Sequence, residues 1–390
     1  MAQRSYHVLR QLARRYEVDA LLFHSRAAPT QLPLSARIAH LEGLARVEVF
    51  RIPGEWRGRR RWWDRVRSVV TKRPELQWRY DSVEYRRKVI ETVFERDPGL
   101  VHVEDMALHG CLPLLAGRRV VLSHTSVASE RLGGRAGLSA GRERRRLERQ
   151  ARWMARAESE WLPRVTANVA MSERDRAVLL ERAPAARVEV VPAAVDTTHF
   201  RAAEGTGHGL VYVGGADRAN RDALEYFARE ILPRVRRSLG MQTLEPISWV
   251  GGAGEEERRR YREVGIDLTG YVEDVRPIVR PAACYVVPRR ASGGQTRVLQ
   301  AWAMGKAVVS TPMACEGLDA VNGENVLIRE TPDEFARAVV EVLEDPGLRR
   351  RLGQAGRRTV EAGYGWDRRG RELVALYEEL ESGAPVRGLW

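Results

Sequence analysis

The sequence predicts an α/β protein with two doubly wound, Rossmann-like domains. In both halves of the 390-residue chain, short apolar runs typical of buried strands alternate with amphipathic helical patterns. This alternation is the sequence pattern of βαβ units and parallel sheets. A chain of this length also exceeds what a single hydrophobic core usually organises, so two domains of ordinary size are expected.

The strands are predicted from runs rich in valine, isoleucine and leucine. In the first half they cover residues 19–23, 47–52, 100–103, 120–123, 166–171 and 188–191. In the second half they cover residues 209–213, 247–250, 266–268, 284–287, 307–310 and 326–328. The linker is predicted at 192–209. An amphipathic helix at 5–15 precedes the first run, so we expect the first sheet to lack its usual opening strand and glycine loop.

Composition limits the class of protein. Apolar residues at 44% and charged residues at 30% are typical of a globular chain. We find neither an apolar run long enough to span a bilayer nor a signal peptide, and we expect a cytoplasmic protein. The three cysteines Cys111, Cys284 and Cys315 are scattered without metal-ligand spacing, so no metal or other cofactor is expected.

The net charge of +13 is almost entirely due to arginine. Segment 56–80 interleaves arginines with Trp56, Trp62, Trp63 and Trp78, and segment 142–161 is a long arginine-rich helical pattern. One interpretation is peripheral binding to an anionic membrane surface, where indole and guanidinium groups both find partners. The other is a solvated helix whose tryptophans pack inward, with the arginine bias set by genome composition. No nucleic-acid-binding motif is present, and nucleic acid is not an expected partner.

The run from Ser292 to Thr311 predicts a phosphate site. A loop at the start of the run leads into a short helix that carries Arg297 and Gln300, and the loop residues are Ser292, Gly293, Gly294, Gln295 and Thr296. Backbone N–H groups at a helix N-terminus, with a guanidinium one turn in, favour the binding of a diphosphate.

Two further segments of the second half are candidates for the same site. Gly214 and Gly215 follow a strand and allow close approach of a ligand, and Arg218 and Arg221 add positive charge nearby. The segment Thr269-Gly-Tyr-Val, with Tyr271 and Val272, is a strand end suited to contact a flat base through main-chain groups.

Candidate acceptor-side residues of the first half follow two predicted strands. Glu104 and Asp105 end one strand, and His124 ends the next. Because ligands of open α/β sheets bind at the carboxyl edge, these groups are placed to orient or deprotonate an acceptor hydroxyl. Alternatively, His124 is a strand-end histidine satisfied by neighbouring backbone groups.

The order of these motifs resembles the donor-binding domain of retaining GT-B glycosyltransferases of family 4. The closest likeness is to the subset associated with exopolysaccharide and exosortase systems. The resemblance includes Val190-Val-Pro-Ala-Ala-Val-Asp196 and Tyr364-Gly-Trp-Asp367, which precedes a last helix in such enzymes. It implies two Rossmann-like domains facing a cleft. An acceptor domain at 1–192, completed by a helix at 367–390, would face a donor domain at 193–366.

The resemblance also implies roles for individual residues. Arg297 occupies the position of the basic residue on the donor diphosphate, and Glu316 lies near the donor. Gln300 and Ser292 stand where the family usually has two glutamates, one on the donor ribose and one close to the transferred sugar. Arg297, His124 and Glu104 are the candidate catalytic residues.

The expected function is transfer of a sugar from a nucleotide-sugar, with retention, to a lipid-linked glycan or polysaccharide precursor at the inner membrane face. One alternative is glycosylation of a soluble small molecule. Another is a non-catalytic GT-B protein that binds nucleotide or partners, because both family glutamates are replaced.

Overall fold

The computed structural model describes residues 2–25, 33–53, 58–202, 207–215, 217–240, 244, 247–252, 254–291 and 295–383. The chain divides into two compact units. The first consists of Met1–Pro192 with Arg369–Trp390, and the second of Ala193–Arg368. Of the sequence-predicted site residues, Ser292, Gly293 and Gly294 lie outside the described residues, as do Trp56 and Arg57 of the arginine- and tryptophan-rich segment.

Within its described residues, the first unit contains two parallel sheets. The strands are β1 Asp19–His24, β2 Arg46–Arg51, β3 Val101–Glu104, β4 Val120–Ser123, β5 Ala167–Ala170 and β6 Val188–Val190. Strands β1 and β2 form one sheet, and β3 to β6 form the other in sequential order. Strands β4 and β5 are buried along their whole length, as the continuous apolar runs predict for a covered parallel sheet.

Helices occupy the connections of the first unit. They are α1 Ala2–Leu12, α2 Leu34–Glu42, α3 Gly58–Thr71, α4 Glu75–Arg79, α5 Val83–Arg96, α6 Ala128–Gly137, α7 Gly141–Trp161 and α8 Glu173–Arg182. The segments Met106–Leu115 and Leu162–Arg164 are 3-10 helices. The first 3-10 helix, α5 and α7 pack over the sheet around Leu112, Leu122 and Met154.

The described part of the second unit forms a six-stranded parallel sheet. Its strands are β7 Leu210–Val213, β8 Ile247–Val250, β9 Asp267–Gly270, β10 Cys284–Val287, β11 Ala307–Ser310 and β12 Leu327–Ile328. They lie side by side in the order β12-β11-β10-β7-β8-β9. This is the doubly wound order of Rossmann folds, in which the direction of winding reverses between the first and fourth strands of the sheet. The predicted α/β fold class is therefore confirmed.

The helices of the second unit are α9 Arg218–Tyr226, α10 Leu232–Leu239, α11 Glu255–Glu263, α12 Arg276–Val279, α13 Gln295–Ala303, α14 Pro312–Cys315, α15 Pro332–Glu344 and α16 Pro346–Gly363. A π-helical turn, Phe227–Ile231, joins α9 to α10. The last helix, α17 Trp366–Ser382, begins in the second unit and continues into the first. Among the described residues, no helix is both long and apolar enough to cross a membrane.

Candidate active site

The centre of the six-stranded sheet in the second unit contains a topological switch point. Strands β7 and β10 are neighbours, and the chain winds away from them in opposite directions. In open α/β sheets, ligands bind outside the carboxyl ends of strands at such a point, because the connecting loops diverge there and leave a crevice. The carboxyl end of β7 is Val213, followed directly by Gly214 and Gly215.

Arg297 connects helix α13 to this switch point. It lies in the first turn of the helix, and its Nε donates a hydrogen bond to the carbonyl oxygen of Val213 at 2.8 Å. The amide of Gln295 donates to the carbonyl oxygen of Glu316 at 3.0 Å. Three segments that the sequence singled out therefore meet at one place: the glycine turn after β7, the start of α13 and the end of α14.

Gly214 leaves no room for a side chain. Its N–H donates to the carbonyl oxygen of Val250 at 2.8 Å. A Cβ atom on Gly214 would lie 2.5 Å from Cε1 of Tyr212 and 2.9 Å from the side chain of Asn220. The turn after β7 is thus held against the buried ring of Tyr212, and only glycine is compatible with this packing.

The remaining predicted donor residues are spread over the same edge of the second unit. Arg218 and Arg221 are exposed at the start of α9, and Nε of Arg221 lies 3.9 Å from a carboxylate oxygen of Glu257. Tyr271 and Val272 follow the edge strand β9, two strands away from β7. Thr296 is exposed, and Gln300 and Glu316 are partly buried.

The sequence did not predict a buried polar network beside the switch point. Arg289 follows β10, is 4% exposed, and donates from Nη1 to Oδ1 of Asn220 at 2.6 Å. Oδ1 of Asn220 also accepts from the hydroxyl of Tyr212, and its amide donates to Asp217. A signal was available, because Arg289 lies two residues after a fully apolar strand and precedes the glycine loop. The network fixes the first turn of α9 next to β7 and β10.

In the first unit, Glu104 is engaged by the side chains of His102 and Arg4. Nε2 of His102 lies 2.7 Å from its carboxylate, and Nη1 of Arg4 lies 3.9 Å away. Nδ1 of His102 in turn contacts the hydroxyl of Tyr377 on α17. Burial alone would raise the pKa of Glu104, but the hydrogen bond and charge of His102, with the charge of Arg4, lower it to about 2. Such a carboxylate is a weak base near neutral pH and is better suited to orient groups.

Asp105 is committed to local structure. Its Oδ1 accepts from the N–H of Ala107 at 2.9 Å, and its Oδ2 accepts from the hydroxyl of Thr125 at 2.6 Å. Arg131 lies 3.3 Å from the same carboxylate. Burial would raise the pKa of Asp105, but Arg131 and Thr125 more than offset this and lower it. The side chain caps the 3-10 helix and leaves little capacity for an acceptor hydroxyl.

His124 keeps a free acceptor atom. Its Nε2 lies 3.1 Å from Oδ1 of Asn168, whose amide nitrogen donates to the carbonyl of Leu162. Nε2 of His124 therefore carries the hydrogen, and within the described part of the chain its buried Nδ1 has no partner. Burial lowers the pKa of His124 despite the bond to Asn168, so the neutral imidazole predominates near neutral pH. The alternative prediction, that neighbouring backbone groups supply the hydrogen bonds of His124, is wrong for the imidazole ring, because the partner of Nε2 is the side chain of Asn168.

The arginine- and tryptophan-rich segment forms an unusual helix. On α3, the residues that are buried are polar, Asp64 and Ser68, whereas Trp62 and Trp63 are 56% and 53% exposed. Val69 and Val70 are also exposed, which extends the apolar stripe along the outer face. The interpretation in which these tryptophans pack inward is therefore wrong for Trp62 and Trp63. It is right for Trp153 and Trp161 of α7, which are buried.

The low pKa of Glu104 makes the free energy of unfolding depend on pH in the acid range. Because its folded-state pKa of about 2 lies below the ordinary value of 4.5, its ionised form contributes about 3 kcal/mol of stability above pH 4.5. This contribution is lost as the pH falls from about 4.5 to about 2. At pH 7 we expect the urea midpoint of unfolding to be lower for Glu104→Gln than for the wild type. The difference between the two midpoints should become smaller as the pH falls from about 4.5 to about 2. A difference in urea midpoint that stays constant with pH would contradict the low pKa of Glu104.

The two parallel-sheet units and the switch-point site define a protein of the GT-B glycosyltransferase fold class. Solved structures agree. Sucrose-phosphate synthase from Thermosynechococcus elongatus superposes with a TM-score of 0.68 over 98% of this chain and 94% of its own, at 17% identity. The Anabaena protein HepE, solved in complex with UDP-glucose, gives a TM-score of 0.63 over 92% of this chain and 99% of its own, at 12% identity.

Family profiles assign the chain more narrowly. The profile described as "Glycosyltransferase Family 4" matches residues 1–199, and the one described as "Glycosyl transferases group 1" matches residues 207–345. Because the first profile alone covers just over half of the chain, this protein belongs to glycosyltransferase family 4.

Curated relatives match over shorter stretches. An uncharacterised glycosyltransferase of Methanocaldococcus jannaschii, MJ1069, is 30% identical over 144 residues, which are 34% of this chain. The lipopolysaccharide core biosynthesis glycosyltransferase LpsE of Rhizobium meliloti is 29% identical over 121 residues, or 29% of this chain. In each case the matched stretch spans 36% of the length of the relative.

Proposed function

We propose that this protein transfers a sugar from a nucleotide-sugar to a glycan acceptor with retention of anomeric configuration. The observation that supports this most directly is the position of Arg297, in the first turn of α13 and bonded to the end of β7 at the switch point. The bond uses Nε of Arg297, and in this proposal the two Nη groups bind the donor diphosphate in the crevice outside the strand ends. The acceptor in this proposal is a lipid-linked glycan or polysaccharide precursor, as in the exopolysaccharide- and exosortase-associated members of the family.

The chemistry is electrostatic on the donor side. As the bond from the anomeric carbon to the diphosphate oxygen breaks, negative charge grows on the leaving group. The guanidinium of Arg297 and the N-terminal dipole of α13 stabilise that charge without reorganising, because both are already held in place. Gln300 lies one turn further along α13 and offers an amide oxygen and an amide nitrogen to the donor ribose. Same-face attack by the acceptor hydroxyl requires no enzymic nucleophile.

On the acceptor side, His124 is the group we assign to the hydroxyl. Its unprotonated Nδ1 accepts a hydrogen bond, while Asn168 fixes the tautomer through Nε2. Glu104 and His102 act as positioning residues at the adjacent strand end, because their contacts tie β3 to Tyr377.

Thermal unfolding across a panel of nucleotide-sugars and free nucleotides tests the donor assignment. A ligand that binds only the folded protein raises its apparent stability, so the cognate donor should raise the melting temperature. Donor turnover should then exceed that of an Arg297→Gln/Gln300→Ala double variant. Stabilisation without turnover would favour the non-catalytic alternative, and transfer to a soluble acceptor without lipid would favour a small-molecule acceptor.

The outer face of α3 supports a peripheral membrane location for the transfer. This helix carries five arginines and a single acidic residue, Asp64, which is buried and paired with Arg60 at 3.2 Å. The exposed face therefore presents Trp62, Trp63 and two valines between guanidinium groups without an opposing carboxylate from α3 itself. Such a helix lies in the plane of an anionic bilayer, with indoles at headgroup depth and guanidinium groups on phosphates.

Vesicle binding measures this docking. We expect Arg59→Gln/Trp62→Ala/Trp63→Ala to weaken binding to phosphatidylglycerol-containing vesicles by at least about tenfold, since each lost basic residue costs about 1 kcal/mol and two apolar anchors are removed. The matched control is Arg259→Gln/Val321→Ser, exposed residues of the second unit, which should bind as the wild type does. Equal binding by the α3 variant and the wild type would exclude this face.

A further inference from the structure

The first unit contains a cavity that is lined by none of the acceptor-side candidates Glu104, Asp105 and His124. Its volume is about 230 Å³. The walls come from the end of α3 at Thr71, the following segment Lys72–Pro74, the middle and end of α7, and His109 of the 3-10 helix. Ligand pockets for drug-sized molecules are about 300–1,000 Å³, so this cavity suits a smaller group.

The charge of the cavity wall is strongly positive. Lys72, Arg73 and Arg156 all line it, and within the described residues none of their side chains forms an ion pair with a carboxylate. The acidic residue on the wall, Glu160, is paired with Arg164 at 3.0 Å. All three residues are exposed, so solvent weakens their mutual repulsion, and an anion bound between them would relieve what remains.

His109 supplies a second, independent observation. It is 2% exposed, and Nδ1 lies 2.6 Å from the carbonyl oxygen of Met106, so Nδ1 carries the hydrogen. Nε2 of this ring is buried without a partner among the described residues. A buried polar atom normally has a hydrogen-bond partner, and a ligand hydroxyl or P–OH group in the cavity would supply it.

Two tryptophans complete the wall. Trp153 and Trp161 are buried, and each ring has a guanidinium over its face, Arg149 at 5.5 Å and Arg164 at 5.3 Å from the ring centroids. The rings are therefore held in place, and they give the cavity an apolar side as well as a cationic one. A group with one anionic end and one carbon-bearing end matches these two sides.

We propose that this cavity binds the phosphate group of a small phosphoester. Lys72, Arg73 and Arg156 bind the phosphate oxygens, Nε2 of His109 accepts from a hydroxyl on the phosphate or its ester, and the tryptophans contact the ester carbons. The same chemistry is presented by a phospholipid headgroup and by a soluble phosphoester. The adjoining apolar stripe of α3, which ends at Val69 and Val70, favours the headgroup.

Calorimetric titration of the full chain with inorganic phosphate and with glycerol 3-phosphate tests the site. We expect saturable binding below about 10 mM, with glycerol phosphate tighter, and a loss of affinity of about tenfold or more in Arg73→Gln/Arg156→Gln. Arg152→Gln is the matched control, because this exposed arginine lies one turn earlier on α7 and does not line the cavity. Absence of saturable binding, or an equal loss in Arg152→Gln, would overturn the proposal.

Vesicles distinguish the two sources. If the headgroup is the ligand, Arg73→Gln/Arg156→Gln weakens binding to phosphatidylglycerol vesicles, and glycerol phosphate competes with vesicles for the wild type. If the ligand is a soluble phosphoester, the variant loses affinity for glycerol 3-phosphate but binds vesicles as the wild type does. Either result supports a phosphate site. Stabilisation by nucleotide-sugar should be unchanged in this variant, so failure here and failure of the proposed transferase activity are separable.

Discussion

Replacing Arg297 with glutamine is expected to lower kcat/KM for sugar transfer by about 10²- to 10³-fold, the usual cost of removing one preorganised donor from a site of developing charge. Arg297 stands in the first turn of α13, and its Nε is bonded to Val213 at the carboxyl end of β7. Glutamine is shorter and neutral, so it removes the charge and the paired Nη groups together. Steady-state kinetics with the cognate donor measure the loss.

Two further substitutions make the result specific to Arg297. Arg290→Gln removes one positive charge near the same sheet edge, but this arginine is exposed and already paired with Asp222 at 2.6 Å. It should change kcat/KM by less than about threefold. Arg297→Lys keeps the charge and loses the planar fork, so its activity should fall between those of glutamine and arginine. Wild-type activity in Arg297→Gln, with the melting temperature unchanged, would remove this residue from the mechanism.

Replacing Trp302 with alanine is expected to cost about 3–5 kcal/mol in the free energy of unfolding. The ring is fully buried on the inner face of α13, and its Nε1 donates to the carbonyl oxygen of Asn325 at 2.8 Å. Gly356 of α16 packs directly on it, since a Cβ at that glycine would lie 2.3 Å from Cδ1 of the indole. Alanine would leave a cavity between two helices and an unpaired carbonyl. Urea unfolding monitored by circular dichroism measures the change.

Two controls separate packing from general effects of tryptophan loss. Trp302→Phe keeps most of the buried volume but loses the bond to Asn325, and should cost about 1–3 kcal/mol. Trp62→Ala removes an exposed indole on α3 and should stay within about 0.5 kcal/mol of the wild type. If Trp302→Ala were as mild as Trp62→Ala, the packing of α13 on α16 described above would be wrong.

The parallel sheets were predictable because strands that are buried on both faces have continuous apolar sequences. Strands β4, β8, β10 and β11 begin and end at the residues that the pattern indicated. The glycine turn after β7 and Arg297 were predictable for a related reason. A strand followed by glycines and a helix start places its polar residues at the carboxyl edge, whatever the rest of the fold contains.

Contacts between residues far apart in sequence were not predictable. Helix α3 buries Ser68 because Gln150 of α7 donates to its hydroxyl, and 82 positions separate the two. Its amphipathic pattern alone would place the tryptophans inside. The pairing of His102 with Tyr377 and the bond from Arg289 to Asn220 likewise join segments that no local pattern connects. Side-chain burial is set by tertiary neighbours, and periodicity does not encode which neighbours those are.

The discontinuity of the first unit has a consequence for biosynthesis. Its residues 1–192 leave the ribosome before the second unit, but residues 369–390, including Tyr377 that contacts His102, emerge after it. At about 5–20 residues per second, the delay while the second unit is made is roughly ten to thirty-five seconds. During that interval the second unit, which is continuous in sequence, can complete its fold. The first unit therefore begins to be synthesised before the second unit but completes its fold after it. A chaperone that binds the nascent chain would meet the first unit before His102 has contacted the hydroxyl of Tyr377.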